Sequence, residues 1–150
     1  DRSIHKYYQC IVKGSLKEKQ LIAGFLKKNE ETNTVSIYPL EVEDSVPIMT
    51  EYLPLAGNDR ITLLRVTLIT GRSHQIRAHL AALGHPLIGD GKYGDKRIND
   101  RFRRQGIRSQ MLHAYRIEFP EMDGLFAGLS GRVFTAPEPE SFLLLKKEGN

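Results

Sequence analysis

The sequence predicts one domain of the α/β class in which strands and helices follow each other in an irregular order. Runs rich in β-branched and aromatic residues mark several strand-like segments, and one segment switches to helical spacing. The regular strand–helix–strand alternation of a doubly wound fold is missing, and the chain shows no internal repeat or low-complexity linker. With 150 residues, of which 40% are hydrophobic, the chain is long enough to bury one core.

The N-terminal half contains most of the strand candidates. Residues 6–14, KYYQCIVKG, combine β-branched and aromatic residues and end at a glycine. Residues 32–41 and 45–57 are weaker candidates because prolines interrupt them. Residues 59–71 form the strongest candidate. Both faces of that segment are mostly apolar, so we expect it to lie centrally in a sheet.

A helix is predicted between Ser73 and Gly84. Its apolar residues Ile76, Leu80 and Leu83 are spaced i, i+4 and i+7 and would form one buried stripe. Ser73 can cap the first turn, and Gly84 suits the left-handed conformation that often follows a last turn.

The C-terminal half continues with shorter elements. After a glycine-rich stretch, residues 95–108 predict a polar helix or an ordered loop. Residues 111–120 and 131–137 are strand-like, and residues 139–150 predict a short closing helix.

The positive charge is concentrated in one region. Residues 60–116 contain twelve Lys and Arg against three Asp, a charge of +9, whereas the whole chain carries +4, which leaves −5 elsewhere. Such asymmetry favours a polyanionic partner such as nucleic acid. A solvated basic face is the alternative interpretation.

The histidines and the cysteine do not predict a metal site or a disulfide. His74, His79 and His85 are five and six residues apart, so a helix would place the first two on different faces. Cys10 is the only cysteine and lies in a predicted strand, where a buried core residue is expected.

The sequence Gly89-Asp90-Gly91-Lys92-Tyr93-Gly94 matches the G-x-G-x-x-G pattern but lacks the structural context of a phosphate-binding loop. It follows a helix rather than a strand, and the charge of Asp90 would repel a phosphate. We therefore expect these glycines to permit tight turns. No serine lies in a nucleophile elbow, no apolar run reaches the ~20 residues of a membrane helix, and no signal-peptide pattern begins the chain. A cytoplasmic protein is expected.

Three segments of the chain carry a family resemblance, in the order KYYQCIVKG (6–14), TGRSHQIRAHLAALGHPLIGDGKYGD (70–95) and MLHAYRIEFP (111–120). Together they resemble the RluA-type ribosomal and transfer RNA pseudouridine synthases. TGRSHQIRAHLAALGHPLIGDGKYGD resembles the third signature motif of that family. KYYQCIVKG resembles its K-x-Y-x-A-x-V-x-G segment, with Cys10 in place of alanine, and MLHAYRIEFP resembles its L-H-A-x-x-L-x-F segment, with Ile117 in place of leucine. The basic segment 95–108 looks most like the branch that acts on large-subunit ribosomal RNA.

The resemblance implies a pseudouridine synthase fold, with a central mixed, mostly antiparallel sheet and flanking helices. It also implies isomerisation of specific uridines in structured RNA without a cofactor or a metal. The family's nucleophile is an aspartate in an R-L-D-x-x-T-S-G motif, which this chain does not contain. Residues 1–150 are therefore interpreted as the C-terminal portion of a catalytic domain, and the N-terminal portion of the same protein is expected as a partner. A non-catalytic RNA-binding module, or a fragment with no separate role, is the alternative.

The resemblance assigns three catalytic positions. Tyr8 matches a tyrosine that stacks on the flipped base, Arg77 an arginine that pairs with the catalytic aspartate, and Leu112 an apolar residue of the pocket floor. Without the resemblance, each has a plainer interpretation as a packed or solvated side chain. The basic side chains near the predicted helix and in the 95–108 segment are candidates for RNA contacts. These are Arg72, His74, Lys92, Arg97, Arg101, Arg103 and Arg104.

Overall fold

A computed structural model of the chain describes residues 4–72 and 74–142. Seven strands form one sheet. They are β1 (His5–Lys13), β2 (Gln20–Asn29), β3 (Thr34–Tyr38), β4 (Val46–Gly57), β5 (Ile61–Leu68), β6 (Leu112–Glu118) and β7 (Val133–Thr135). Two α-helices, α1 (Gln75–Ala82) and α2 (Lys96–Arg103), and a 3-10 helix at Gly124–Leu129 complete the described part. None of the helices found there is long and apolar enough to span a membrane.

The strand order is β3-β2-β4-β5-β1-β6-β7, and every pairing between these strands is antiparallel. The expected α/β class with a mostly antiparallel sheet is confirmed. β5 lies in the middle of the sheet, as its apolar faces predict, and its first four residues are all buried.

The two faces of the sheet carry separate cores. Successive residues of a strand point to opposite faces, so Cys10 and Val12 lie on one side and Ile11 on the other. Ile76 and Leu80 of α1 pack against the first face, which we call the α1 face. Phe102 of α2 packs against the second face, the α2 face, in a cluster with Ile11, Ile61 and Leu63.

Helix α1 differs from its predicted pattern. Ile76 and Leu80 are buried as expected, but Leu83 is 43% exposed. The reason is tertiary, because Ala78 also packs against Leu26, Val35 and Ile48 of β2–β4 and turns the buried side of α1 away from Leu83. Gly84 adopts the expected left-handed conformation, with φ +88°.

The start of α1 also differs from the prediction. His74 occupies the N-cap position, and Ser73, the predicted cap, lies outside the described residues.

Strand β2 was not predicted. Its sequence QLIAGFLKKN contains an internal glycine and two consecutive lysines before its last residue, so its alternation of polar and apolar residues is weak. The strand prediction for residues 45–57 was weakened by Pro47 and Pro54, but β4 contains both prolines. Pro54 lies at a β-bulge where the register against β5 shifts.

The C-terminal strands agree with the prediction, whereas the 3-10 helix was not expected. Residues 140–142 are helical, and the rest of the predicted closing helix, 143–150, lies outside the described residues.

Candidate active site

A cleft of about 250 Å³ opens on the α1 face, where β1 and β6 meet the start of α1. It is lined by five of the predicted site residues, and the end of β5 contributes Leu68. The five are Tyr8, Arg72, His74, Arg77 and Leu112. The fold therefore brings together residues from positions 8 to 112 of the chain.

The floor of the cleft is apolar and aromatic. Tyr8 pairs across the sheet with Val66 and Ala114, and Leu112 pairs with Cys10, so the side chains of Tyr8 and Leu112 lie on the same face. Both pack, partly buried, against the core of the α1 face. An apolar and aromatic surface is of the kind that receives an extruded nucleobase.

Cys10 lies beneath this floor and has no solvent exposure, as predicted for a core residue. Burial raises the pKa of its thiol far above the usual range, since a thiolate there would lose its hydration. The thiol is therefore a packing group and not a nucleophile.

Arg77 reaches the cleft from α1 and is held by a carboxylate of the same chain. Its Nε and Nη2 each donate a 2.8 Å hydrogen bond to the two oxygens of Asp90, the planar bidentate geometry of a strong pair. The guanidinium also lies 5.2 Å from the centre of the Tyr93 ring. Its third nitrogen, Nη1, has no hydrogen-bond partner among the residues described, so it can still donate to another carboxylate.

Asp90 is the centre of this arrangement, and its carboxylate is completely buried. Burial raises the pKa of Asp90, but hydrogen bonds from Arg77 and from the backbone N–H groups of Tyr93 and Lys92 outweigh it, so the net pKa lies below the ordinary value. Sequence reasoning treated Asp90 only as a charge unfavourable to phosphate. The available signal was its position, as one of three acids in a strongly basic region.

Glycines shape the loop that carries Asp90. Gly89 has φ +83°, and a Cβ there would collide with the Ser109 carbonyl group. A Cβ at Gly94 would collide with the carbonyl oxygen of Asp90. The expected role of these glycines in tight turns is confirmed at Gly89 by its positive φ.

Gln75 is a further site residue that sequence reasoning missed. Its side chain is buried, and all four of its hydrogen-bonding positions are used. Oε1 accepts from Thr70 Oγ1 (2.8 Å) and from the Arg72 backbone N–H (3.1 Å). Nε2 donates to the Met49 carbonyl (3.0 Å) and to Thr50 Oγ1 (2.9 Å). Gln75 thus fixes the turn that presents Arg72 and the start of α1 against β4.

The buried network continues to His79. Thr50 Oγ1 lies 3.2 Å from His79 Nδ1, and His79 is 3% exposed. Burial lowers the pKa of His79, and a hydrogen bond with the backbone of Ala23 only partly opposes this effect. His79 is therefore a neutral residue of the buried network.

The lowered pKa of His79 predicts a loss of stability in mild acid. Between the lower folded pKa and the ordinary value of 6.5, the unfolded chain binds more protons than the folded chain. The urea midpoint should therefore be constant above about pH 7 and fall as the pH decreases below about 6.5. The control is His79→Gln, which retains an acceptor for Thr50 and should show a shallower dependence. An unchanged pH dependence in that variant would contradict the assignment.

The remaining predicted RNA contacts lie outside the cleft. Lys92 is exposed and donates from Nζ to the Asn33 carbonyl (2.9 Å). The four arginines of the 95–108 segment that were predicted to contact RNA are exposed on or beside α2. Because α2 packs against the α2 face through Phe102, they lie on the other side of the sheet from Tyr8 and Leu112. They are Arg97, Arg101, Arg103 and Arg104.

The three histidines that sequence reasoning considered for a metal have separate partners. His74 Nδ1 contacts the Tyr93 hydroxyl, His79 Nδ1 contacts Thr50, and His85 Nδ1 contacts the Lys13 carbonyl at 2.9 Å. Within the described ranges, no three His, Cys, Asp or Glu side chains are grouped so as to hold a metal ion.

Comparisons with known proteins show the family to which the chain belongs. A sequence model of the RNA pseudouridylate synthase family matches residues 1–82, more than half of the chain. The chain belongs to this family. The resemblance to RluA-type pseudouridine synthases that its motifs suggested is thereby confirmed.

Relatives of this chain are found in several bacteria. The chain is 32% identical over 120 residues to the ribosomal large subunit pseudouridine synthase C of Vibrio vulnificus, a match that covers 79% of this chain and 37% of that protein. It is 32% identical over 142 residues to an RNA pseudouridine synthase of Helicobacter pylori, covering 95% of this chain and 50% of that protein. The chain thus spans half or less of the length of these relatives.

Solved structures of two human proteins share the fold. Human RNA pseudouridylate synthase domain containing 1 matches with a TM-score of 0.66 and 24% identity, over 99% of this chain and 67% of that one. Human RNA pseudouridylate synthase domain containing 4 matches with a TM-score of 0.71 and 17% identity, over 95% of this chain and 61% of that one. At these identities, the likeness establishes the pseudouridylate synthase fold of the chain.

Proposed function

We propose that this chain forms the C-terminal portion of the catalytic domain of an RNA pseudouridine synthase. The observation that supports this most strongly is the meeting of Tyr8, Arg77 and Leu112 in one cleft, since these are the three positions that the family motifs assign to catalysis. An aromatic wall, an apolar floor and a fixed guanidinium are what base extrusion and a carboxylate nucleophile require.

The nucleophile in this proposal is an aspartate of the same protein outside residues 1–150. Its carboxylate forms a bond to the target nucleotide, and the glycosidic bond between C1′ and N1 breaks. The uracil then reattaches to C1′ through C5 with release of the carboxylate, after which C5 loses its proton and N1 gains one. Tyr8 stacks on the base and assists the removal of that proton, and Leu112 lies in the floor of the pocket. Arg77 Nη1 donates to the aspartate and keeps it ionised, while Asp90 holds the rest of the guanidinium. No cofactor or metal takes part.

The substrate in this proposal is structured RNA in the cytoplasm, with large-subunit ribosomal RNA as the favoured target. Two observations support that choice. The Vibrio vulnificus relative is named as a ribosomal large subunit enzyme, and the region 60–116 carries +9. Exposed arginines on α2 provide a phosphate-binding surface distinct from the cleft.

The proposal predicts that residues 1–150 alone do not form pseudouridine. Without a nucleophile, the chain has no route to a covalent intermediate. Ribosomal RNA incubated with the chain should show no pseudouridine above background when modified positions are mapped, whereas the full-length protein should modify at least one uridine. Turnover by the chain alone would contradict this division of the site.

The basic surface predicts salt-dependent RNA binding by the chain itself. Affinity should fall steeply as salt increases, because each neutralised phosphate releases counterions. Substituting Arg101, Arg103 and Arg104 with Glu should weaken binding and flatten the salt dependence. The matched control makes the same change of charge at three exposed lysines elsewhere. These are Lys17, Lys19 and Lys28.

If the arginine variant binds RNA as the wild type does, the α2 surface is not the RNA-binding face. Equal losses in both variants would instead show that only net charge matters.

A second candidate function is RNA binding without catalysis. It is favoured by the concentration of exposed arginines on α2, on the side of the sheet opposite the cleft. The two functions separate in one experiment, since only the catalytic proposal predicts pseudouridine formation by the full-length protein.

A further inference from the structure

His74 has a backbone conformation that few residues other than glycine adopt. It occupies the N-cap of α1 with φ 56° and ψ 13°, in the left-handed region. Its carbonyl accepts the first helical hydrogen bond, from Ala78 N at 2.9 Å, and the Gln75 side chain holds the preceding turn. A strained residue that the surrounding contacts fix, and that lines a cleft, is a candidate for a functional role.

The imidazole of His74 is fixed by a hydrogen-bond relay. The Val35 backbone N–H donates to the Tyr93 hydroxyl oxygen (2.9 Å), which lies 2.8 Å from His74 Nδ1. The two rings meet edge to face, with centroids 5.6 Å apart at 76°. Of the groups described around the Tyr93 hydroxyl, Nδ1 is the one that can accept its proton. In the tautomer in which Nδ1 accepts the hydroxyl proton of Tyr93, the ring proton resides on Nε2.

The charges around His74 favour the neutral ring. Burial lowers its pKa, and the neighbouring cations Arg77, Lys92 and Lys28 lower it further, whereas Asp90 acts in the opposite direction. A neutral imidazole is a weak partner for a phosphate. A neutral His74 is therefore not suited to the contact with the RNA phosphate backbone that the sequence suggested. What the ring offers is a single N–H donor of fixed orientation.

We propose that His74 determines the pyrimidine specificity of the cleft by donating from Nε2–H to the O4 carbonyl of uracil, with Tyr93 as the positioning residue that fixes the tautomer. The proposal rests on the proposed function, in that the cleft receives a uridine. Uracil presents a carbonyl acceptor at O4, whereas cytosine presents an amino donor at the same position. A donor fixed in the cleft therefore pairs with uracil and opposes cytosine, because the two N–H groups would face each other unpaired.

The first part of the test needs no RNA. In the ¹⁵N-labelled chain, long-range ¹H–¹⁵N correlations of His74 at neutral pH should show an unprotonated Nδ1 and a protonated Nε2. In Tyr93→Phe, the relay is lost and the two tautomers should mix. A wild-type ring protonated on Nδ1 or on both nitrogens would overturn the proposal, and this result does not depend on whether Tyr93→Phe folds.

The second part uses uridine 5′-monophosphate and cytidine 5′-monophosphate as probes. The uridine nucleotide should shift the His74 Nε2 resonance and bind at least about tenfold more tightly than the cytidine nucleotide. In His74→Phe, which retains an aromatic ring without a donor, that preference should disappear. Equal affinity of the wild type for the two nucleotides, or no response of His74 to either, would overturn the proposal. Failure of the proposed function would give a different result. The full-length protein would form no pseudouridine, while the His74 tautomer and the preference for the uridine nucleotide would both be as proposed.

Discussion

Replacing Arg77 with alanine in the full-length protein is expected to lower the single-turnover rate of uridine isomerisation on the order of a hundredfold, the size typical of a preorganised charged donor. The reason is the ionisation state of the nucleophile. A carboxylate in a dry cleft remains charged when a cation lies next to it, and without Arg77 its pKa rises. RNA affinity should change little, because the bulk of the positive surface lies outside the cleft.

Two further variants sharpen this prediction. Arg77→Lys should restore only part of the rate, because an ammonium group cannot form the bidentate contact with Asp90 that positions the guanidinium. Arg101→Ala, on the exposed surface of α2, should weaken RNA binding and leave the single-turnover rate at saturating protein unchanged. If bound RNA reacts at the normal rate in Arg77→Ala, Arg77 is not part of the catalytic site.

Replacing Asp90 with asparagine is expected to destabilise the chain by ~3–5 kcal/mol, the usual cost of breaking a buried ion pair. Asp90 is fully buried and Arg77 is 12% exposed at its side chain, so the variant leaves a guanidinium with little water to compensate it. In the orientation of the new amide that places its NH2 group next to the backbone N–H groups of Lys92 and Tyr93, hydrogen-bond donors face each other and two hydrogen bonds are lost. Urea denaturation of the chain measures the change.

A matched control is Glu51→Gln, which removes a carboxylate from a partly exposed ion pair with Lys19. Such pairs contribute about 1 kcal/mol or less, so this variant should unfold close to the wild type. Similar stabilities for Asp90→Asn and Glu51→Gln would show that the Arg77–Asp90 pair does not hold the cleft together.

The strands and the helix at the site could be predicted because their signals are local. β1 and β5 have long apolar or aromatic runs, and the period change at α1 is clear. β2 was missed because its pairing with β3 and β4 stabilises a sequence whose own alternation is weak. Leu83 was placed in the core because an ideal helical stripe takes no account of the contact between Ala78 and β2–β4.

The site was predictable only in part, because its residues come together through contacts between distant parts of the chain. Tyr8, Arg77 and Leu112, which line one cleft, were assigned from family motifs. Their spacing along the chain does not show that they lie close together in the fold. Asp90 and Gln75 act through bonds to residues that are distant in sequence or lie on other elements, and no local pattern marks them. Charge counting likewise grouped the arginines of α2 with Arg77, although Phe102 anchors α2 to the opposite face.

Photocrosslinking tests most directly whether the cleft receives the target uridine. Ribosomal RNA containing 5-iodouridine carries its reactive group at C5, the atom that the proposal places beside Tyr8. With the full-length protein, we expect an adduct on the tryptic peptide 7–13, and within it on Tyr8, since neighbouring Tyr7 points to the other face of the sheet. Adducts confined to α2, with Tyr8 unmodified, would contradict the assignment of the cleft as the uridine pocket.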